Sequence, residues 1–452
     1  RMRKRLFSPL IFFTQLTALV LSPLSYADTL PETHTLTIHG SNTIGAKLAP
    51  ALISGYLQSL GAKNIRQQES GENESQITAT FAPDAGNNAN KAVINIAAHG
   101  SGTGFKGLKS GTADIAAASR PAKQKEVDSL SQMTELNSLG SEHIVGIDGL
   151  AIIIHPKNPI NQLDVEQIAA IFSGQITNWS ELGGAFGEIN LYARDNKSGT
   201  WDSFKRMVLG KRPLDSRALR FESNDQLSDK VSNDRRGIGF VGLPSVRDSK
   251  LIAVSDGDGK ALTPNQLTIS TEDYALSRRL YFYTDDDPKN EHVKPFIQYL
   301  QSKEGQKIVA DNGFISQNIE VVKPTNFSSL PSGFQKIAGD GQRLTVNFRF
   351  KKGSAKLDNR AMRDIQRLVD FSNNNPDKKI VLIGFGDPKK SQERSLLLSK
   401  LRAMAVRREL VRLGVYPKYN YGYGEELPVA SNEREAGRVK NRRVEVWLDK
   451  AN

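Results

Sequence analysis

Three short segments of the chain combine glycine with hydroxyl residues: GSNTIG at 40–45, GSGTG at 100–104 and SGT at 198–200. Each stands just before an expected helix. A helix start offers backbone N–H groups without partners and the positive end of the helix dipole, glycine permits close approach, and Ser or Thr hydroxyls add donors. One such segment is an ordinary N-cap; three that converge make an oxyanion site. Arg194 lies four residues before Ser198, near enough to set a guanidinium against the same anion. Other chemistries find less support. Gly102, Gly104 and Gly107 fit GxGxxG after a strand, but the acidic residue a dinucleotide fold needs is not placed. The six histidines (His34, His39, His99, His143, His155, His292) show no HExxH spacing, so no metal and no cofactor are expected. His99, beside the 100–104 turn, reads as structural. With no cysteine in the chain, disulfides, thiolate nucleophiles and Cys-based zinc sites are excluded.

The elements that must hold these residues follow from patterning. A length of 452 residues implies two or three domains at roughly 100–200 residues each. A hydrophobic share of 38% with 24% charged residues excludes a polytopic membrane protein and wholesale disorder. Residues 1–27 open with RMRKR, continue through an apolar stretch at 6–24 and end in Ser25, Tyr26 and Ala27. This pattern predicts a signal peptide cleaved before Asp28, with no transmembrane segment in the mature chain. A strand at 35–39 leads into the first glycine segment and a helix at 44–60, a strand at 92–98 precedes the glycine-rich turn at 100–107, and the strand–turn–helix motif repeats around 114–120, 149–155 and 189–207, which predicts α/β architecture. Residues 322–342 are polar with Pro324 and Pro331 and read as a linker. Beyond it Leu344, Val346, Phe348 and Phe350 alternate with polar residues, opening a new domain on a strand. A helix near 358–373 follows, then a strand at 380–384, a second helix with Leu396, Ser399, Ala403, Val406, Leu410 and Leu413 as its inward stripe, and a last strand with Val444, Val446 and Leu448 inward. This is a small α/β sandwich.

Charge divides along the same boundary. Lys and Arg number 61 against 49 Asp and Glu, a net of +12. Residues 343–452 hold 25 basic and 13 acidic residues, while 28–342 hold 32 and 36. The basic excess therefore belongs to the last quarter of the chain and points to an anionic partner there.

Six segments then carry a family resemblance: GSNTIG, AAHGSGTGFKGLKSGTADIAAASRP (97–121), DGLAIIIHPKNPI (148–160), IFSGQITNWSELGG (171–184), ARDNKSGTWDSF (193–204) and GIGFVGL (237–243). In this order they resemble the phosphate-binding proteins of phosphate ABC transporters. The resemblance implies a type II periplasmic binding fold of two α/β lobes, with crossovers near 148–155 and 279–285, closing on phosphate by a hinge. It implies phosphate contacts from Thr43, the Ile44 backbone, Ser101, Arg194, Ser198, Gly199 and Thr200. Ser119 stands where some members have an aspartate that accepts the proton of hydrogen phosphate, and Arg120 beside it would add positive charge. Sulfate or a phosphonate stays open as the ligand, and a phosphatase-like enzyme on the same scaffold is the alternative to a non-enzymatic receptor.

A second set, VNFRFKKGSAKLD (346–358), IGFGD (383–387), LSKLRA (398–403), GYGE (422–425) and GRVKNRRVEV (437–446), is similar to the OmpA-like peptidoglycan-binding domain. That family clamps diaminopimelate between an aspartate and an arginine fifteen positions apart, which fall on Asp387 and Arg402. The family's usual histidine and threonine before the aspartate are Phe385 and Gly386 here, and its helix asparagine is Ser395. The expected plan is a signal peptide (1–27), a receptor domain (28–321), a linker (322–342) and a peptidoglycan-binding domain (343–452). It places the protein in the periplasm at the cell wall, or secreted, with phosphate, diaminopimelate-type peptidoglycan and an ABC permease as partners. Nucleic acid is set aside, because an exported chain without a nucleic-acid motif has no access to it.

Overall fold

The computed structural model describes residues 33–82 and 90–450; the segment expected as a signal peptide lies outside them. Thirteen strands precede residue 320: β1 (Thr33–Gly40), β2 (Lys63–Gly71), β3 (Glu74–Thr80), β4 (Lys91–Ala97), β5 (Ile115–Ala118), β6 (Glu142–Ile154), β7 (Gln162–Asp164), β8 (Asn190–Arg194), β9 (Leu219–Phe221), β10 (Gly237–Gly242), β11 (Lys250–Leu251), β12 (Ala253–Ser255) and β13 (Ser277–Tyr283). Eleven of them form one sheet: ten in the order β2-β3-β4-β1-β5-β13-β6-β10-β8-β9, and β11 off this path on β6. β6 is what joins the lobes: its first half pairs with β13, which also borders β5, and its second half pairs with β10. Two apolar cores fill the halves. One surrounds Leu36, Leu52, Ile94 and Phe296, the other Ile152, Phe172, Phe204 and Phe240.

The C-terminal domain is a five-stranded sheet ordered β14-β15-β18-β16-β17, built from β14 (Val321–Val322), β15 (Gln342–Arg349), β16 (Lys378–Gly384), β17 (Tyr419–Gly422) and β18 (Arg443–Lys450). Helices Asn359–Asn374 and Gln392–Arg412 cover one face. The first begins at Asp358, whose carboxylate accepts the Ala361 N–H at 2.8 Å as an N-cap. The described residues thus adopt a two-lobed α/β binding fold followed by a small α/β sandwich.

Two local expectations differ from what forms. Of the stripe on helix Gln392–Arg412, Ser399, Ala403, Val406 and Leu410 are buried, but Leu396 and Leu413 are about half exposed. At the Leu396 end of the helix it is Ser399 and the backbone of Leu396 that lie against Gly422 of β17, and the first turn buries Ser395 instead, whose hydroxyl donates to Glu425 at 2.9 Å. Residues 322–342, read as a linker, supply the end of β14 and a helix at Ser332–Ile337. Phe334 from that helix is 1% exposed and packs edge-on against Trp447 at 5.4 Å between ring centroids. Polar composition concealed one aromatic that closes the second face of the sheet.

The two parts meet through buried charge. Glu272 and Asp273 sit in the turn before β13, Glu272 in the left-handed region at φ 60°. Glu272 accepts from Arg279 Nε at 2.6 Å and pairs with Arg360 Nη1 at 2.9 Å and Arg349 Nη1 at 3.3 Å. Asp273 accepts from Arg343 Nη2 at 3.0 Å and Asn347 Nδ2 at 2.8 Å. Arg279 also reaches Asp358 at 2.9 Å. Burial alone raises the pKa of Glu272, but Arg279, Arg360 and Arg349 outweigh it and hold the carboxyl far below its ordinary range. Part of the C-terminal basic excess is thus spent inside the molecule.

His143 belongs to the same contact. Arg363 Nη2 donates to its Nδ1 at 3.1 Å, which fixes the neutral tautomer with Nε2–H facing Thr284 Oγ1 at 3.1 Å. Burial, aided by Arg363, lowers its pKa to about 3. The unfolded chain therefore takes up a proton below about pH 6.5 that the folded state refuses, so stability falls with pH from there by at most about 1.4 kcal/mol per unit. Urea unfolding at pH 7 and pH 5 checks this: His143→Gln is expected to lose part of the pH dependence seen in the parent protein.

Candidate functional site

The three glycine–hydroxyl segments come from different elements and meet at the lobe boundary. A short helix, Asn42–Gly45, follows β1; the helix Ser101–Ser110 follows β4; and Gly199–Phe204 follows β8. Gly40, at φ 140°, makes the first turn possible, since a Cβ there would lie 2.0 Å from the Ala117 carbonyl oxygen. The lobes are in contact. Asn42 Nδ2 donates to the Lys197 carbonyl at 2.6 Å, and Ser119 Oγ donates to Asp202 Oδ2 at 3.1 Å. Gly199 approaches Thr43 so closely that a Cβ would come within 2.9 Å of the Thr43 Cα.

A cleft of about 590 Å³ lies there, and its walls include Thr43, Asp148, Arg194, Ser198, Gly199 and Thr200. Arg194, the last residue of β8, is 8% exposed. Its guanidinium donates to the Phe221 and Glu222 carbonyls at 3.2 and 2.6 Å and to Thr200 Oγ1 at 3.2 Å. These partners fix its plane but carry no full charge, so the cation remains electrostatically uncompensated by them. Ser198 caps the helix that follows, accepting from the Trp201 N–H at 2.9 Å, and its hydroxyl proton is free to point elsewhere.

Other expected site residues lie differently. Ser101 and Ser119 are buried, their hydroxyl oxygens 3.3 Å apart, and the Ser119 N–H donates to Ser101 Oγ at 3.1 Å. Arg120 turns to Glu126, with two bonds of 2.8 Å, and is not among the residues lining the cleft. His99 faces Glu74 at 2.8 Å. Arg278, which sequence reading missed, enters from β13: it contacts Asp148 Oδ2 at 3.2 Å, Asp202 Oδ2 at 3.4 Å and Thr43 Oγ1 at 3.2 Å. A signal for it existed. Arg278 and Arg279 are neighbours on a crossover strand, where successive side chains take opposite faces; one had to face the cleft and the other the C-terminal domain.

In that domain a second cleft, about 450 Å³, is lined by Lys389, Arg394, Arg402, Arg442 and Phe350, among others. Asp387 is 2% exposed. Its carboxylate accepts from Arg442 Nε and Nη2 at 2.9 and 3.0 Å and from Lys389 Nζ at 2.9 Å. Arg402 donates to the Phe385 carbonyl at 3.3 Å. Burial raises the pKa of Asp387, but bonds from Arg442 and Lys389 prevail and bring it down to about 2. Arg442 and Lys389, neither singled out by the spacing of Asp387 and Arg402, hold the Asp387 carboxylate beneath the cleft, which Arg402 lines and Asp387 does not. Among the described residues no cluster of His, Asp or Glu could hold a metal ion, and no helix is long and apolar enough to cross a membrane.

Two α/β lobes joined by paired crossover strands, with donors from both facing one cleft, define a two-lobed solute-binding protein. The chain belongs to the PBP superfamily, whose domain model matches residues 65–304, and residues 349–442 match the OmpA family. Among curated relatives, protein SphX of Synechococcus elongatus is 30% identical over 237 residues, 49% of this chain and 68% of that protein. The phosphate-binding protein PstS of Staphylococcus aureus is 26% identical over 293 residues, 61% of this chain and 86% of the relative. A crystal structure of a possible phosphate binding protein from Planctomyces limnophilus shares the fold, with a TM-score of 0.50 at 24% identity over 63% of this chain and 93% of that one.

Proposed function

We propose that the protein is a receptor for inorganic phosphate that works in the periplasm and is held at diaminopimelate-type peptidoglycan by its C-terminal domain. The observation that carries the reading is Arg194, a buried guanidinium bonded only to neutral acceptors, in one cleft with Thr43, Ser198, Gly199 and Thr200. A buried cation of this kind favours an anionic ligand, and hydroxyl and helix-start donors from both lobes surround the place where one would sit. The relatives named for phosphate binding support the same ligand. Binding and release alone are the role, serving uptake through an ABC permease, scavenging or sensing, with no turnover. The functional units are the receptor at 28–321 and the wall-binding domain at 343–452, with 322–342 as their junction. Calorimetric titration of the full chain tests the receptor: heat with phosphate is expected, none with any oxyanion overturns it, and turnover of p-nitrophenyl phosphate would replace it with an enzyme.

The second cleft suits a stem-peptide terminus, with Arg402 taking the diaminopimelate carboxylate and Asp387 its ammonium. The test belongs in the full chain, because an isolated 343–452 fragment would strip Arg343, Arg349 and Arg360 of Glu272 and Asp273. The full-length protein is expected to co-sediment with diaminopimelate-type peptidoglycan, and Arg402→Ala and Asp387→Ala are each expected to lower the bound fraction at least about tenfold. Undiminished pull-down by both variants would remove the clamp.

A further inference from the structure

Helix Gln392–Arg412 carries apolar residues on two faces. One face packs on the sheet of the C-terminal domain through Ser399, Ala403, Val406 and Leu410. The other looks outward: Leu397, Leu401 and Met404, four and three residues apart and therefore in one row, are 57, 47 and 45% exposed. Leu396 beside them is exposed as well. Four of the twelve large apolar side chains left exposed among the described residues thus fall within residues 396–404. Scattered surface leucines need no explanation, but a contiguous row does. Folding does not require this row, because the opposite face of the helix already fills the core.

Cations border the row. Lys400 lies three residues after Leu397 and four before Met404, Arg408 lies four after Met404, and both are exposed, so they project beside it. Glu409, the acid next to Arg408, is taken by Arg412 at 3.0 Å. Arg343, Arg349 and Arg360 spend their charge inside the molecule, whereas Lys400 and Arg408 present theirs to the outside. A second copy of the chain suits this face poorly, since a twofold contact presents a surface to itself and would crowd these cations together. A peptide would need a groove, and the row stands on the convex side of a helix. A bilayer with anionic headgroups matches both features: the leucines and methionine enter the boundary of headgroups and acyl chains, while Lys and Arg stay at the level of the phosphates.

We infer that the outward face of helix Gln392–Arg412 docks the C-terminal domain on an anionic phospholipid surface, lying on the bilayer without crossing it. This stands independently of the oxyanion-receptor reading and of the clamp at Arg402.

The test is flotation of the chain from Asp28 onward, which leaves out the apolar stretch at 6–24, with vesicles of phosphatidylethanolamine and phosphatidylglycerol and, in parallel, of phosphatidylcholine alone. The parent protein is expected to bind the anionic vesicles at least about tenfold better than the neutral ones and to be released as salt is raised. Leu397→Ser combined with Met404→Ser is expected to lower binding at least about tenfold, and so is Lys400→Gln combined with Arg408→Gln. Leu401 stays in place because it also lines the cleft that holds Arg402. A parent that does not float, or that floats equally with both kinds of vesicle, overturns the inference, and so do double variants that float as well as the parent. Variants that lose pull-down by peptidoglycan yet keep the vesicles assign the face to wall binding and overturn it too. Sedimentation that reveals a self-association abolished by the serine variant does the same, because a second copy then covers the row. If circular dichroism shows that the serine variant does not fold, the glutamine variant decides.

Discussion

Replacing Arg194 by alanine is expected to weaken phosphate binding by about 2–5 kcal/mol, roughly thirty-fold to several-thousand-fold, which in a calorimeter reads as near-complete loss. The size follows from placement. Arg194 is buried, its hydrogen bonds go to two carbonyls and a hydroxyl, and the neighbouring Asp195 carboxylate acts on it only through space, so a bound oxyanion would be the partner that meets its charge directly. Removing the guanidinium leaves the anion's oxygens short of charge-assisted donors. The fold is expected to survive, because burial already lowers the pKa of Arg194 and disfavours the charged form there. Arg194→Lys keeps the charge but lacks the planar fork that holds the Phe221 and Glu222 carbonyls and Thr200, so it is expected to fall between the two. A second measurement separates binding from folding. Phosphate should raise the melting temperature of the parent, as any ligand of the native state does, and should leave that of Arg194→Ala unmoved.

The largest stability effect is expected at Glu272. Changing it to glutamine removes the charge on which Arg279, Arg349 and Arg360 converge, and breaking a buried ion pair from one side costs about 3–5 kcal/mol. Denaturant unfolding should show the loss, with Arg349 and Arg360, on the C-terminal side of the contact, left facing like charge. The pH dependence has a definite sign. The folded carboxyl titrates far below the unfolded value of about 4.3, so its contribution is present above that value and is lost as pH falls below it. The parent should therefore lose stability below about pH 4.5 more steeply than Glu272→Gln. Function enters through the neighbouring strand. Glu272 holds Arg279 of β13, and the next residue back, Arg278, contacts Asp148, Asp202 and Thr43 at the cleft. The C-terminal domain thus packs on the strand that carries an arginine into the receptor cleft.

How far the sequence speaks varies by element. The strand at Thr33–Gly40, the helix starts after it, and the helix Asn359–Asn374 with its Asp358 cap were legible because local rules govern them: period, cap and turn chemistry need only neighbours along the chain. Ser198, Gly199, Thr200 and Arg194 were legible for the same reason, since four residues of spacing already bring them together. Arg120 was not, for its choice between the cleft and Glu126 depended on where the helix Gln124–Leu130 would run. Leu396 and Leu413 fit a helical stripe, yet which face of a helix the sheet covers is settled by packing, and here Ser395 and Ser399 turn inward near Leu396.

What the sequence determined by itself was the α/β class, the division into a near-neutral N-terminal part and a basic C-terminal domain, and a set of candidate oxyanion donors that the fold brings to one cleft. Each follows from short-range periodicity or from composition, which survive without knowledge of the fold. The tertiary structure alone decided which of two adjacent arginines faces the cleft, that Asp148 stands in its wall bonded to Arg278, and that the basic domain turns Arg343, Arg349 and Arg360 inward onto Glu272 and Asp273. These pairings join residues some 70 to 130 positions apart in sequence. A charge count can report that arginines outnumber acids, but only packing settles which of them meet an acid within the same chain and which are left to meet a partner.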